Sequence, residues 1–227
     1  MILIRKSKDR GQSVLDWLDS YHTFSFADYY DSQWMGFGSL RVINEDTIQP
    51  GKGFGMHPHQ DMEIITYVIH GALEHRDSMG NSSIIRPGEI QRMSAGTGVK
   101  HSEFNHSQTE ALHLLQIWII PESKGIQPDY EQKQIHKKFN QLTLLASPKP
   151  TPDAVMLHQK MHLYAGYFHP NCQFNHSLKS NHSWLQLIKG NIHLNDQIMY
   201  PGDGAAIQNE KQITIACHDA VEFLFFE

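Results

Sequence analysis

The chain has 227 residues, of which 40% are hydrophobic and 19% are charged. This is the composition of an ordinary globular protein and excludes a largely disordered chain. The formal net charge of -5 argues against direct nucleic-acid binding, because proteins that grip a phosphate backbone usually carry a basic balance. The nearest basic stretch, Lys133 to Lys138, is short and is interrupted by neutral residues.

Targeting and redox signals predict a cytoplasmic protein without membrane association. The N-terminus has no apolar run of signal-peptide length, and no stretch approaches the ~20 apolar residues of a membrane span. Two cysteines, Cys172 and Cys217, are too few for a disulfide framework and are expected to be reduced. A monomer is expected, because two halves of one chain can bury their faces against each other.

Along the chain, the recurring feature is a short apolar or alternating run closed by Gly, Pro, Asn or Asp. This pattern is typical of an all-β barrel or sandwich. It predicts strands over residues 39–43, 63–69, 112–120, 184–188 and 221–225. Few short helices are expected, at residues 9–18 and at residues 129–139, the second of which begins with an Asp that can cap a helix.

Proline marks a division of the chain. Five prolines fall within residues 121–153, and proline cannot donate a hydrogen bond to a sheet. We predict an N-terminal metal-binding domain over residues 1–125, a linker over residues 126–153, and a C-terminal domain over residues 154–227 that lacks a full metal site.

The two halves look like copies of each other. YVIHGALEHRD followed by RPGEI corresponds to LQLIKGNIHLND followed by YPGDG. When the shared Gly turns are aligned, His57 falls on His176 but His59 falls on Leu178. When the shared Pro-Gly turns are aligned, His101 falls on Ile215. An internal repeat of this kind predicts one metal-competent half and one structural half.

Two pairs of polar residues in the first half have the same i, i+2 spacing: His57 with His59, and His101 with Glu103. Residues two apart on a strand share a face, so two pairs on facing strands of a small barrel can converge on one point. Three imidazoles and a carboxylate suit a divalent transition metal and lack the thiolates of structural zinc sites. The alternative is a set of exposed loop histidines.

The chain also resembles a known family. Its residues fit the first cupin motif at Gly51, His57, His59 and Glu63, and most of the second at Gly98, His101 and Asn105. More narrowly, HTFSFADYYD, FGSLRVINED, HPHQDMEIITYVIHGALEHRDS and MSAGTGVKHSEFN resemble the pirin family. The resemblance implies a bicupin, with two tandem antiparallel β-barrels of jelly-roll type.

The same resemblance implies one metal ion, usually Fe(II), held by His57, His59, His101 and Glu103; Ni, Cu, Mn, Co and Zn are alternatives. In most cupins the ligand glutamate stands at the position of Glu63. In pirin-like proteins it follows the third histidine by two residues, at Glu103. Glu63 is therefore a reserve ligand, or a carboxylate that hydrogen-bonds near the site.

Pirin-family members resemble quercetin 2,3-dioxygenases, which open a flavonol ring with O2. The resemblance implies a small flavonol-like aromatic substrate and O2, with Glu103 as the general base that takes the 3-hydroxyl proton. Gln116 lies among apolar neighbours and is a candidate contact to the substrate or to a metal ligand, or a side chain satisfied by the backbone. Four aromatic residues line an entrance or pack in the core: Phe24, Phe26, Trp34 and Phe37.

Two rival functions remain open at this point. One is an iron-binding, redox-sensing module that docks on a protein partner without physiological catalysis; the other is an isomerase or storage-type cupin. An enzyme needs a cavity beside an open metal position, whereas a regulator needs an exposed apolar patch. Four further histidines are expected at the surface or around the ligands: His22, His70, His75 and His106.

Overall fold

The structure is a computed structural model that describes all 227 residues. Apart from one 3-10 turn at Ser7–Asp9, its regular structure is entirely β. The strands, numbered in chain order, are β1 (Ile2–Arg5), β2 (Gly11–Leu15), β3 (Leu18–His22), β4 (Leu40–Ile48), β5 (Gly53–His59), β6 (Glu63–His70), β7 (Leu73–Asp77), β8 (Ser82–Ile85), β9 (Glu89–Ser94), β10 (Val99–Asn105), β11 (Leu112–Ile119), β12 (Asp129–Gln134), β13 (Gln141–Ser147), β14 (Val155–Met156), β15 (Leu163–Phe168), β16 (Cys172–Ser177), β17 (His182–Lys189), β18 (Ile192–Leu194), β19 (Gln197–Met199), β20 (Gly204–Gln208), β21 (Gln212–Cys217) and β22 (Val221–Phe226). The chain forms no helix with the length and hydrophobicity that a membrane crossing requires.

The strands divide into two compact units. The first unit contains residues 11–135 and 148–160, and the second contains residues 1–10, 136–147 and 161–227. In the first unit the large sheet has the order β12-β9-β6-β11-β4-β3-β2 and the small sheet β5-β10-β7-β8. In the second unit the corresponding orders are β1-β20-β17-β22-β15-β13 and β16-β21-β18-β19. The equivalent strand orders account for the internal repeat in the sequence.

The residue ranges of these two units differ from the predicted division into residues 1–125, 126–153 and 154–227. Residues 1–10 belong to the second unit because β1 pairs with β20, with Ile2 opposite Ile207. The predicted linker contains β12, which pairs with β9, and β13, which pairs with β15. Residues 126–128, residues 135–140 and the proline-rich residues 148–154 lie outside these strands.

Both helix predictions are wrong. Residues 11–15 form β2, which pairs with β3. Residues 129–134 form β12, and the reason lies in the fully buried Arg92, which meets Asp129 at 2.8 Å and Glu131 at 3.2 Å. Residues two apart share a face on a strand but not on a helix. The need to neutralise a buried guanidinium thus favours the extended conformation.

A polar row crosses the large sheet of the first unit. In cross-strand register it runs through Gln91, Thr66, Gln116, Asn44 and His22. Because directly opposite residues share a face, all five side chains point to the same side of the sheet.

Apolar clusters lie on either side of this row. Along the same face of β6, Thr66 stands between Ile64 and Val68, which belong to two separate apolar clusters. On β11, Gln116 stands between Leu114 of one cluster and Trp118, which packs against the other. The first unit therefore has a polar layer in the middle of an apolar interior.

The second unit has an apolar interior at the corresponding place. Its core includes Ile213, Ile215 and Cys217 on β21, which occupies the position that β10 has in the first unit. Its histidine on β16, His176, lies 3.2 Å from the carboxylate of Glu227. This unit offers a structural core.

Gly53 sets how closely β5 approaches β10. A Cβ at Gly53 would lie 2.1 Å from the carbonyl oxygen of Glu103, whereas one at Gly55, on the same strand, meets nothing within 4 Å. We predict that Gly53→Ala lowers the free energy of unfolding by about 1–3 kcal/mol, because the backbones must separate. Gly55→Ala is the matched control and should stay within about 0.5 kcal/mol of wild type in urea unfolding. Equal effects of the two substitutions would contradict this account of the strand contact.

Asp46 gives the first unit a pH-dependent stability. Burial raises the pKa of Asp46 to about 7, although the hydrogen bond that Asp46 accepts from Ser20 acts in the opposite direction. The folded state therefore keeps a proton that the unfolded state releases near pH 4, so this residue makes stability fall between about pH 4 and pH 7. We predict that the free energy of unfolding of Asp46→Asn rises relative to that of wild type as the pH increases from about 4 to 7. The measurement is urea unfolding of both proteins in the presence of chelator. Parallel stability curves for the two proteins would contradict the assignment.

Candidate metal centre

Three neighbouring strands of the small sheet each carry a pair of polar residues at i, i+2 spacing. The pairs are His57 and His59 on β5, His101 and Glu103 on β10, and His75 and Asp77 on β7. In register, His101 lies opposite both His57 and Asp77, and Glu103 lies opposite His75. The sequence predicted two pairs on facing strands; they instead lie on adjacent, hydrogen-bonded strands, which brings His57 and His101 side by side.

The three predicted histidine ligands form one cluster, here called the outer set: His57, His59 and His101. The ring centroids are 4.4 Å apart for His57 and His101, and 4.8 Å apart for each of the other two pairs. One nitrogen of each ring lies within 4.8 Å of the others. The outer set therefore presents three imidazole donors to one point.

The hydrogen bonds of the outer set leave donor atoms available. The Nδ1 of His57 lies 2.8 Å from the carbonyl oxygen of Gly55. A carbonyl only accepts, so Nδ1 carries the proton and Nε2 keeps its lone pair. His101 is 1% exposed, and neither of its ring nitrogens has a hydrogen-bond partner. A buried imidazole without partners is costly unless another group satisfies it.

Two histidines of the outer set, His59 and His101, are kept uncharged by their surroundings. Burial, together with the neighbouring imidazoles, lowers the pKa of His59 to about 4 and that of His101 to about 3. At pH 7 both rings are neutral, which is the form that binds a metal ion. Neutral, convergent imidazoles with an unsatisfied buried nitrogen fit one divalent transition-metal ion.

Glu103 lies beside the outer set and has its own partners. It is 4% exposed, and both of its oxygens accept hydrogen bonds from the Nε2 of Gln116, at 2.9 and 2.8 Å. Its carboxylate is grouped by distance with His75 and His101. Three of the four predicted ligands thus share one cluster, and the fourth adjoins it through His101.

Gln116 is 9% exposed and contacts side chains instead of backbone groups. Its Nε2 donates to Glu103, and its Oε1 accepts a hydrogen bond from the Oγ1 of Thr66 at 3.3 Å. Gln116 therefore contacts Glu103, the predicted general base, and is not satisfied by backbone groups, which was the alternative expected from the sequence.

Glu63, the reserve ligand, has other partners. Its Oε2 accepts from the backbone N–H of His158 at 3.2 Å and faces the Nδ1 of the same residue at 3.3 Å. It belongs to neither group of candidate metal donors. The structure brings this carboxylate to residues 148–160 of the first unit instead.

Sequence reasoning missed the importance of His75 and Asp77. His75 is fully buried, and its Nε2 lies 3.1 Å from the Oδ2 of Asp77. Burial alone would raise the pKa of Asp77, but hydrogen bonds from Asn81 and His75 hold it below its usual value. The available signal was the His-x-Asp spacing in LEHRD, which repeats the i, i+2 pattern of the other two pairs.

A cavity of about 540 Å³ opens beside the outer set. It is lined by Pro58, His59, Gln60, Ser78, Gly98, Val99 and Lys100. The ring of Trp118 packs edge-on at 4.9 Å from His59, and Phe26 packs at 5.5 Å from Trp118. Phe24 and Trp34, also proposed for an entrance, are buried in the core.

Comparisons with known proteins agree over the whole chain. The Pirin family profile matches residues 4–119, and the profile described as the quercetinase C-terminal cupin domain matches residues 144–227. A quercetin 2,3-dioxygenase from Escherichia coli strain K12 is 47% identical over 228 residues, which cover 100% of this chain and 98% of that protein. A putative quercetin 2,3-dioxygenase from Pasteurella multocida, PM1685, is 45% identical and covers 100% and 99%.

Solved structures give the same result. YhhW from Escherichia coli superimposes with a TM-score of 0.97 at 48% identity, covering 100% of this chain and 97% of that one. The bacterial pirin YhhW in complex with nickel(II) superimposes with a TM-score of 0.95 at 47% identity, covering 100% and 98%. These matches confirm the predicted all-β bicupin fold. With both family profiles matched and relatives similar along its full length, the chain belongs to the pirin family.

Proposed function

We propose that this chain is a metal-dependent dioxygenase that opens the ring of quercetin-like flavonols with O2, with Fe(II) as its ion. The observation that carries the proposal is the outer set of convergent imidazoles beside a buried carboxylate and an open cavity. Its relatives of similar length include proteins named quercetin 2,3-dioxygenase, and the related pirin YhhW binds nickel(II). In this proposal His57, His59, His101 and Glu103 hold the ion.

Each residue of the site has a distinct task in this chemistry. When bound, the ion supplies Lewis-acid stabilisation of the flavonol oxyanion and the redox capacity needed for O2. Glu103 takes the 3-hydroxyl proton as general base. Gln116, oriented by Thr66, holds the Glu103 carboxylate through both oxygens and so fixes where the proton is received.

The cavity supports a small aromatic substrate. Its volume of about 540 Å³ lies within the ~300–1,000 Å³ of small-molecule sites. His59 forms part of its lining, so a bound molecule reaches the outer set directly. Trp118, against His59, provides an aromatic edge near the same ring. This open access favours an enzyme over a regulator with a closed metal site.

The role of Glu103 is tested by Glu103→Gln, which keeps the shape of the side chain but removes its basicity. We predict that metal content stays near that of wild type while quercetin-dependent O2 uptake falls at least about 100-fold, the usual contribution of a general base. Glu110→Gln, at an exposed residue, is the matched control and should keep full activity. Full activity in Glu103→Gln would exclude the residue as the base.

The metal requirement is tested by chelation and reconstitution. We expect the stripped protein to consume no O2 with quercetin, and about one Fe(II) per chain to restore uptake with release of carbon monoxide. Ni, Cu, Mn, Co and Zn are compared in parallel by the same oxygen-electrode assay. One metal per chain without O2 uptake for any ion would contradict the dioxygenase and favour the regulatory alternative.

A further inference from the structure

The interior of the first unit holds a second group of metal donors, here called the inner set: His75, His101 and Glu103. One donor atom of each lies within 4.8 Å of the others. The three residues are 0%, 1% and 4% exposed. The inner set shares only His101 with the outer set and lies wholly inside the barrel.

The chemistry of the inner set is that of a metal site. Two imidazoles and one carboxylate form a donor set used by mononuclear iron and related divalent ions. The single charge of Glu103, with that of Asp77 behind His75, balances the two charges of such an ion. The outer set alone contains no carboxylate.

His75 is held as metal-binding histidines usually are. Its Nε2 donates to the Oδ2 of Asp77 at 3.1 Å, so the proton is on Nε2 and the lone pair is on Nδ1. The only contact at Nδ1 is a long one, 3.4 Å, from the Nε2 of Gln91. The Oε1 of Gln91 has no partner, so this amide is free to turn away from the ring.

His101 is the residue that allows two positions. Both of its ring nitrogens are buried and unpartnered, so neither is committed to a supporting hydrogen bond. Donors about 2.1 Å from an ion stand about 3 Å apart, so a separation of up to 4.8 Å closes when each donor moves by less than about 1 Å. Side-chain torsions supply such a shift without backbone movement.

We propose that His75, His101 and Glu103 form a second metal position, which takes a divalent transition-metal ion when the outer ligands are absent. Because the two positions share His101 and, in the proposed function, also Glu103, they are alternatives for one ion. The proposal concerns metal binding alone and does not depend on dioxygenase activity.

The test uses Co2+ as the probe on the chelator-stripped full chain. Bound Co2+ is measured by equilibrium dialysis with metal analysis and by its visible absorption. The variants that remove the outer set are His57→Ala/His59→Ala and, as a polar replacement, His57→Gln/His59→Gln; both residues are half-exposed, and folding is checked by circular dichroism. We expect about one Co2+ per chain at saturation in wild type and in both double variants, with an altered absorption spectrum in the variants.

A third substitution identifies the residual ligands. Addition of His75→Ala to the double variant should abolish Co2+ binding, whereas addition of His70→Ala, at an exposed histidine of β6, should leave it unchanged. The proposal is overturned if the double variants bind no Co2+, or if the His75→Ala triple variant binds as much as the double. A failure of the dioxygenase assay in wild type, with Co2+ retained in the double variants, would affect the proposed function alone.

Discussion

The pairing of β5 with β10 is the constraint on which the metal centre depends. It places His57 opposite His101, and the next strand, β7, places Asp77 opposite His101 on the other side. Three strands therefore deliver six polar side chains to one face of a four-stranded sheet. The close approach depends on the absence of a side chain at Gly53, since a Cβ there would meet the backbone of Glu103 at 2.1 Å. In the second unit the corresponding sheet contributes Ile213, Ile215 and Cys217 to an apolar core.

In the first unit, polar side chains with a chemical role replace part of the apolar core. A polar row through Thr66 and Gln116 divides its interior, and His101 stays buried with both nitrogens unpartnered. A protein of ordinary stability tolerates few such groups, because each lost hydrogen bond costs about 1–3 kcal/mol. Two unpartnered nitrogens on one buried imidazole, beside other possible metal donors, mark a candidate binding site. A bound ion would satisfy His101 and add to the stability of the folded state.

The strands, the repeat and the histidine pairs could be predicted from the sequence because each rests on local spacing. The apolar runs of β6, β11 and β17 repeat every two residues or are wholly buried, which a single sequence displays. The helix expected over residues 129–139 failed because Arg92, distant in sequence, selects a strand there. The partner of Glu103 and the burial of His75 depend on rotamers and on strand register, which spacing alone does not give.

The central claim is that His101 joins the strands of the small sheet into one metal centre. Its most direct test is the metal content of His101→Ala after stripping and reconstitution with Fe(II) or Co2+, beside wild type and beside His113→Ala, a half-buried histidine bound to Glu45 on the large sheet. The account predicts about one ion per chain in wild type and in His113→Ala, and none in a folded His101→Ala protein, because both candidate sets lose their shared donor. An ion bound to His101→Ala with the affinity of wild type would contradict the account.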